Sequence, residues 1–393
     1  MLNLQRLNLL DQLMTDEIEA GELEGISLYV AQEGKQYYYK NFGYADREKH
    51  QLVKNNTIFR MYSMTKPVTA VATMILVERG LLDLYDSVSK YLPGFRNQKV
   101  YTPEGLVDVC REVTIKDLLS MSAGVVYPDQ GNEPGKLMDK VFGEVQDTNA
   151  AGGCIKTVEF CNRIGQQPLL FQPGTAWNYG ACADVMGAVI EVVSGMTFGE
   201  FLRKEIFEPL GMGDTDFFVP KEKQDRFAEL YIYSEEERRN IICEWRHLAL
   251  TPCLVQPAFE SGGAGLVSTM KDYAKFAQML ANGGSYEGRR ILGEKTVEFL
   301  SKSQLPAEVV EKAQWDSNRG CGYANFLRVV EDEVGTGCLA ERGEYGWDGW
   351  AGTYFCIQPR EKLVLIFMVQ RCGYGVAGLM RKVKNIVYSS IER

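Results

Sequence analysis

The sequence predicts an α+β fold, an antiparallel β-sheet built from both ends of the chain and flanked by helices, with a large, mostly helical insertion. Three observations predict it. β-rich runs that read as hairpins lie at 26–43 and at 352–369. Helical periodicity adjoins each of them, and the stretch 86–254 is dominated by helix-like segments separated by Pro/Gly loops. A sheet domain of residues 1–85 and 255–393 and a helical domain of residues 86–254 follow, with the functional site expected between them. The 393 residues suffice for a large buried core.

Each element has its own signal. Leucines at 2, 4, 7, 9 and 10, followed at once by Asp11, Asp16, Glu17 and Glu19, fit a first amphipathic helix better than an export signal. No window approaches 18 uninterrupted apolar residues, so no membrane span is expected. Residues 26–31 and 36–43 flank the turn Gln32-Glu33-Gly34-Lys35. From Ser63 to Arg79 the apolar positions Val68, Val71, Met74, Ile75 and Val77 recur at helical spacing, and Gly80 supplies the stop. Helices are expected at 115–121 and 182–193, with 131–135 (Gly-Asn-Glu-Pro-Gly) as a loop. Residues 352–357 and 363–369 flank a turn at 359–362, and a last helix covers 376–391.

Composition removes several function classes. A net charge of −9 argues against nucleic acid or an anionic membrane as partner. None of the ten cysteines forms a Cys-x-x-Cys pair; they read as reduced thiols of a cytoplasmic chain, Cys182 among them as packing. Only two histidines occur, His50 in a polar turn and His247. They are too few for a zinc site, so neither metal nor other cofactor is expected. No Gly-x-Ser-x-Gly elbow is present. Serine chemistry here must find its base in something other than histidine.

The candidate is Ser63, three residues before Lys66 in Arg60-Met61-Tyr62-Ser63-Met64-Thr65-Lys66. On a helix that spacing puts both side chains on one face. At a helix start, unpaired N–H groups favour the developing negative charge. The lysine serves as base once burial lowers its pKa towards neutrality. Ser-x-x-Lys also occurs at Ser87/Lys90 and Ser268/Lys271, where the serines read as helix caps. Ser63 differs: it opens a long apolar segment, and Pro67 suits the first turn of a helix.

The stretch from Phe42 to Phe95 resembles the β-lactamase-related serine hydrolases, which include class C β-lactamases, penicillin-binding proteins, family VIII carboxylesterases and lovastatin-type acyltransferases. Further blocks extend the resemblance over nearly the whole chain: 115–124, 173–179 (Pro-Gly-Thr-Ala-Trp-Asn-Tyr), 262–269 and 346–349 (Gly-Trp-Asp-Gly). The resemblance implies the β-lactamase/transpeptidase-like fold and a set of roles. Ser63 is the nucleophile, with Lys66 and the Tyr179 hydroxyl, from Tyr179-Gly180-Ala181, as its proton partners. Trp347-Asp348-Gly349 stands where the family has Lys-Thr-Gly, and the next N–H, that of Trp350, pairs with the Ser63 N–H as oxyanion hole. The other Tyr-x-Asn sequences, at Tyr39 and Tyr323, are read as structural.

Two departures bear on substrate. Ala181 cannot make the amide contact of the family's asparagine, and Asp348 stands where a carboxylate-recognising residue is expected. The expectation is therefore an esterase acting through an acyl-enzyme on small uncharged esters, with acyl transfer open. A D-amino-acid peptidase or amide hydrolase, a weak β-lactamase, and a catalytically silent binding homologue are the alternatives.

Overall fold

The computed structural model describes residues 1–128, 130–244, 247–305 and 316–392. A single turn at Leu4–Leu7 precedes α1 (Leu9–Glu19), so the first helix is interrupted at Asn8, which flanks both pieces. The hairpin strands are β1 (Gly25–Gln32) and β2 (Lys35–Asp46), followed by the short β3 (Gln51–Leu52). The C-terminal third supplies β4 (Cys321–Ala324), β5 (Leu327–Val330), β6 (Tyr345–Asp348), β7 (Tyr354–Gln358) and β8 (Leu363–Met368). Among the described residues these make one eight-stranded sheet in the order β4-β5-β6-β7-β8-β1-β2-β3. Its neighbours pair antiparallel. The two ends of the chain meet at its centre, where Ser27 lies opposite Met368 and Gln32 opposite Leu363.

The run at β8 is apolar at every position because both faces of the sheet are covered. Leu363, Leu365 and Phe367 join a cluster with Leu10 and Met14 of α1 and with Val383 and Val387 of the last helix, Ala377–Ser389. Val364, Ile366 and Met368 face the larger core instead. A period of two divides one strand between two cores.

That larger core holds α2 (Thr65–Glu78), in which every residue from Thr65 to Leu76 is buried. The helix is mostly apolar and runs through the interior, and Gly80 ends it with a φ of +67°. The stretch 86–254 contributes Ile115–Leu119, α3 (Glu133–Ala150), α4 (Thr157–Gly165) and α5 (Cys182–Ser194). It also contains two hairpins, Lys99–Thr102 with Gly105–Asp108 and Tyr231–Ser234 with Arg239–Ile242.

Two local expectations are corrected. Residues 131–135 do not form a separating loop. Asn132 accepts the Gly135 N–H and caps α3, whose first turn holds Pro134, a position where the missing N–H costs nothing. Nor do Ser87 and Ser268 act as side-chain caps. Ser87 sits at a cap position but its hydroxyl meets that of Ser89. Ser268 is buried in the strand Val267–Thr269, and Thr269 does the capping. None of the ten cysteines is in a disulfide, and among the described residues no single helix is long and apolar enough to cross a membrane.

Candidate active site

Ser63 lies in a 3-10 turn, Tyr62–Met64, that runs directly into α2. Backbone on both sides pins this turn. Ile58–Arg60 pairs with Val267–Thr269, and the Met61 N–H donates to the Leu266 carbonyl at 2.9 Å. On the other side the Thr353 hydroxyl donates to the Met61 carbonyl at 3.2 Å. Tyr62 enters the turn with a φ of +44°, a costly conformation for a bulky residue that must be held by its surroundings. Its ring is held against Trp350, centroids 5.4 Å apart, and His247, 5.9 Å away.

Lys66 is fully buried, and its amine has three acceptors: Ser63 Oγ at 3.2 Å, Tyr127 Oη at 3.2 Å and the Gly263 carbonyl at 2.9 Å. They match the three N–H bonds of an ammonium. Burial nonetheless drives the Lys66 pKa down to about 7; the negative charges of Asp184 and Asp348, and Cys182, oppose the shift without cancelling it. Close to neutrality, such an amine is available as a base.

Tyr179 approaches from the start of α5. Asn178 and Gln130 both donate to its carbonyl. The Tyr179 hydroxyl donates to Ser63 Oγ at 2.7 Å and accepts from Trp347 Nε1 at 3.3 Å. Its ring covers the Lys66 amine, 4.4 Å from the centroid. Burial holds this phenol above its ordinary range, despite its hydrogen bonds with Ser63 and Trp347. Of the Lys/Tyr pair expected from sequence, the phenol is thus held protonated and the amine is the group brought near neutrality.

The third block sits on β6. Trp347 is almost wholly buried and faces Tyr179. Asp348, the next residue, points to the opposite face of the sheet, where the buried Arg328 donates to it at 3.4 Å. Its charge is thus countered by a cation that the sequence reading missed. Gly349 is required by close approach, since a Cβ there would lie 2.5 Å from the Met61 carbonyl oxygen. Its N–H donates to Thr353 and is not available to a ligand. Trp350 follows at this turn with its ring 4.2 Å from that of His247. Ala181 is fully buried as the N-cap of α5 and presents no surface to a substrate.

Tyr127 and Asp184 were also missed. The block read at 115–124 stops three residues short of Tyr127. Asp184 looks in sequence like an ordinary first-turn acid of α5. Tyr323, read as structural, is buried edge-on to Trp347 and Trp177, with ring centroids 5.2 and 5.4 Å apart.

The chain has relatives over nearly its whole length. The family model described as Beta-lactamase matches residues 10–383. The chain is 27% identical to the esterase EstB of Burkholderia gladioli, covering 97% of this chain and 94% of that protein. It is 28% identical to a putative D-alanyl-D-alanine carboxypeptidase of Salmonella typhimurium, covering 95% of this chain and 84% of that one. Among solved structures it superimposes with a TM-score of 0.83 on EstCE1, described as a hydrolase with promiscuous acyltransferase activity, at 24% identity over 98% and 99% of the two chains.

Proposed function

The chain belongs to the beta-lactamase family, whose members are serine hydrolases, and from that premise we propose that it is a carboxylesterase-like enzyme acting on small uncharged esters through an acyl-enzyme on Ser63. One observation carries the reading: Ser63 Oγ meets both the buried Lys66 amine at 3.2 Å and the Tyr179 phenol at 2.7 Å.

Neutral Lys66 takes the Ser63 proton as Oγ attacks the acyl carbon. The amides of Ser63 and Trp350 receive the oxyanion. Tyr179 gives its proton to the departing alkoxide, and the proton held on Lys66 restores it. Water then repeats the sequence in reverse and frees the acid. An alcohol in place of water makes the step an acyl transfer, the activity described for EstCE1.

The third block supports an uncharged substrate. Trp347 occupies the family's lysine position, and Arg328, the cation beside it, is already engaged by Asp348. A peptidase acting on D-amino-acid termini is the second reading, supported by the Salmonella relative. In either case the partner is a small molecule, and ten cysteines outside any disulfide support a reducing, cytoplasmic setting.

A panel of p-nitrophenyl esters, nitrocefin and D-alanyl-D-alanine peptides tests the proposal, with intact mass reporting the acyl-enzyme. Ester turnover with an acyl adduct that is absent in Ser63→Ala is expected. Efficient nitrocefin or peptide cleavage with inert esters sinks the ester reading.

A further inference from the structure

Behind Lys66, on the side away from Ser63, lies a buried polar chain for which the acyl-transfer steps above have no use. Asp184 is 2% exposed. One of its oxygens accepts from the Ser261 hydroxyl and the Gly263 N–H, the latter at 3.0 Å. The other accepts from the Tyr127 hydroxyl at 3.1 Å. Ser261 in turn accepts the Ala264 N–H, so its own proton goes to Asp184. All three neighbours donate, which suits an ionised, acceptor-only carboxylate. Asp184 thereby fixes both acceptors that hold Lys66 apart from Ser63: Gly263 through its N–H, and Tyr127 through its O–H. The packing around it is close, for a Cβ on Gly263 would lie 2.7 Å from the Asp184 carboxylate and 2.4 Å from Tyr127 Oη.

A neutral lysine has two N–H bonds and one lone pair. Of its three neighbours the Gly263 carbonyl has no proton to offer, and only the hydroxyls of Ser63 and Tyr127 do. We propose that Asp184 is a positioning residue: its carboxylate turns the Tyr127 proton away from Lys66, so that the lone pair of the neutral amine faces Ser63. The two N–H bonds then go to Tyr127 Oη and the Gly263 carbonyl, and the Ser63 proton is the one the amine can receive. This rests on the proposed role of Ser63 and Lys66 and adds to it what aims the base.

Asp184→Asn is close to isosteric, and its amide can keep the Ser261 and Gly263 bonds. Its NH2 now donates to Tyr127 Oη, which releases the Tyr127 proton towards Lys66 and occupies the lone pair. The groups facing Lys66 are Asp184, Cys182, Asp348, Tyr127 and Tyr179. Losing the Asp184 charge removes a stabiliser of the ammonium, so the acid limb of the pH–rate profile moves to lower pH.

The experiment compares wild type, Asp184→Asn, Tyr127→Phe and the double variant. It measures kcat and KM on a p-nitrophenyl ester and the rate of Ser63 labelling by a fluorophosphonate, both across pH, with circular dichroism to confirm folding. Asp184→Asn is expected to lose about 10²-fold in kcat and labelling rate, with KM within about twofold and the acid limb shifted down. Tyr127→Phe, which has no proton to misdirect, loses less, and the double variant is faster than Asp184→Asn alone. A folded Asp184→Asn with wild-type rates, or a loss that keeps the limb in place and gains nothing from Tyr127→Phe, overturns the proposal. A wild type that labels at Ser63 but leaves esters untouched overturns the ester reading alone. No labelling at all overturns both.

Discussion

Replacing Lys66 by Met separates the cost of burying the base from its use. The Lys66 pKa falls from 10.5 to about 7 on folding, so unfolding takes up a proton between those two values. Stability therefore rises with pH across that window, because there the unfolded chain binds more protons than the folded one. Integrating from the two pKa values, the folded protein forgoes about 4 kcal/mol at pH 7 and about 2 kcal/mol at pH 9 on account of this one amine. Methionine has a similar length and no charge at either pH. Urea unfolding of wild type and Lys66→Met at both pH values measures the difference directly. The stability of wild type relative to Lys66→Met is expected to improve by about 2 kcal/mol from pH 7 to pH 9. In parallel, kcat/KM of the wild type is expected to rise through an acid limb centred near pH 7, since only the neutral amine accepts the Ser63 proton. A stability difference that does not change with pH, together with a limb displaced to pH 9 or above, would show that Lys66 keeps an ordinary pKa and refute the assignment of the base.

Other side chains make separable predictions. Tyr179→Phe keeps the ring over Lys66 and removes the hydroxyl 2.7 Å from Ser63 Oγ; a loss of about 10²–10⁴-fold in kcat with little change in melting temperature is expected from ester kinetics and calorimetry. Gly349→Ala places a methyl 2.5 Å from the Met61 carbonyl oxygen and must displace the turn that holds Ser63. Fluorophosphonate labelling should slow by at least about tenfold, given how strongly reactivity depends on ångström-scale placement. Arg328→Met leaves the Asp348 carboxylate without its cation and should cost about 3 kcal/mol in denaturant unfolding, part of which returns in Arg328→Met/Asp348→Asn.

Much of the fold could be read from local pattern. Both hairpins announce themselves by β-rich runs around short turns, and the central helix by its apolar spacing. The strands β4 and β5 did not. Their connection places Asn325 and Phe326 at φ values of +49° and +64°, the conformation of a tight hairpin turn that usually reveals itself as Asn-Gly. Phenylalanine in the second position hides it, and Cys321, Gly322 and Arg328 hide the strand alternation. The helix α3 was masked in the same way, because Gly-Asn-Glu-Pro-Gly is equally the composition of a loop and of a capped helix start. Ser63 and Lys66 were legible since a spacing of three, across a 3-10 turn that runs directly into a helix, fixes their relation. Tyr179 needed the resemblance, for nothing local to it points at a serine 116 residues away.

Tyr127, Asp184 and Arg328 mark where sequence reasoning stops, and for one physical reason. Each acts by compensating a charge or a dipole that only becomes expensive once it is buried. In the extended chain Lys66 needs no acceptors, Asp348 needs no guanidinium, and an aspartate in the first turn of a helix is explained by the helix alone. Folding removes water from Lys66 completely, and every polar bond that water made must then be remade by protein. Three acceptors do this for the amine, and two of them are themselves held by Asp184. The same burial pushes the amine towards neutrality, since three neutral oxygens solvate a cation less well than bulk water does. In the proposed mechanism the reactivity of Ser63 thus depends on residues whose contribution is to satisfy Lys66 without fully stabilising its charge. A stronger cage, with a carboxylate in direct contact with Nζ, would make a more stable protein and a protonated, idle lysine. Placing Tyr127 between Asp184 and Lys66 keeps the negative charge one hydroxyl away, near enough to orient the base and too far to hold its proton.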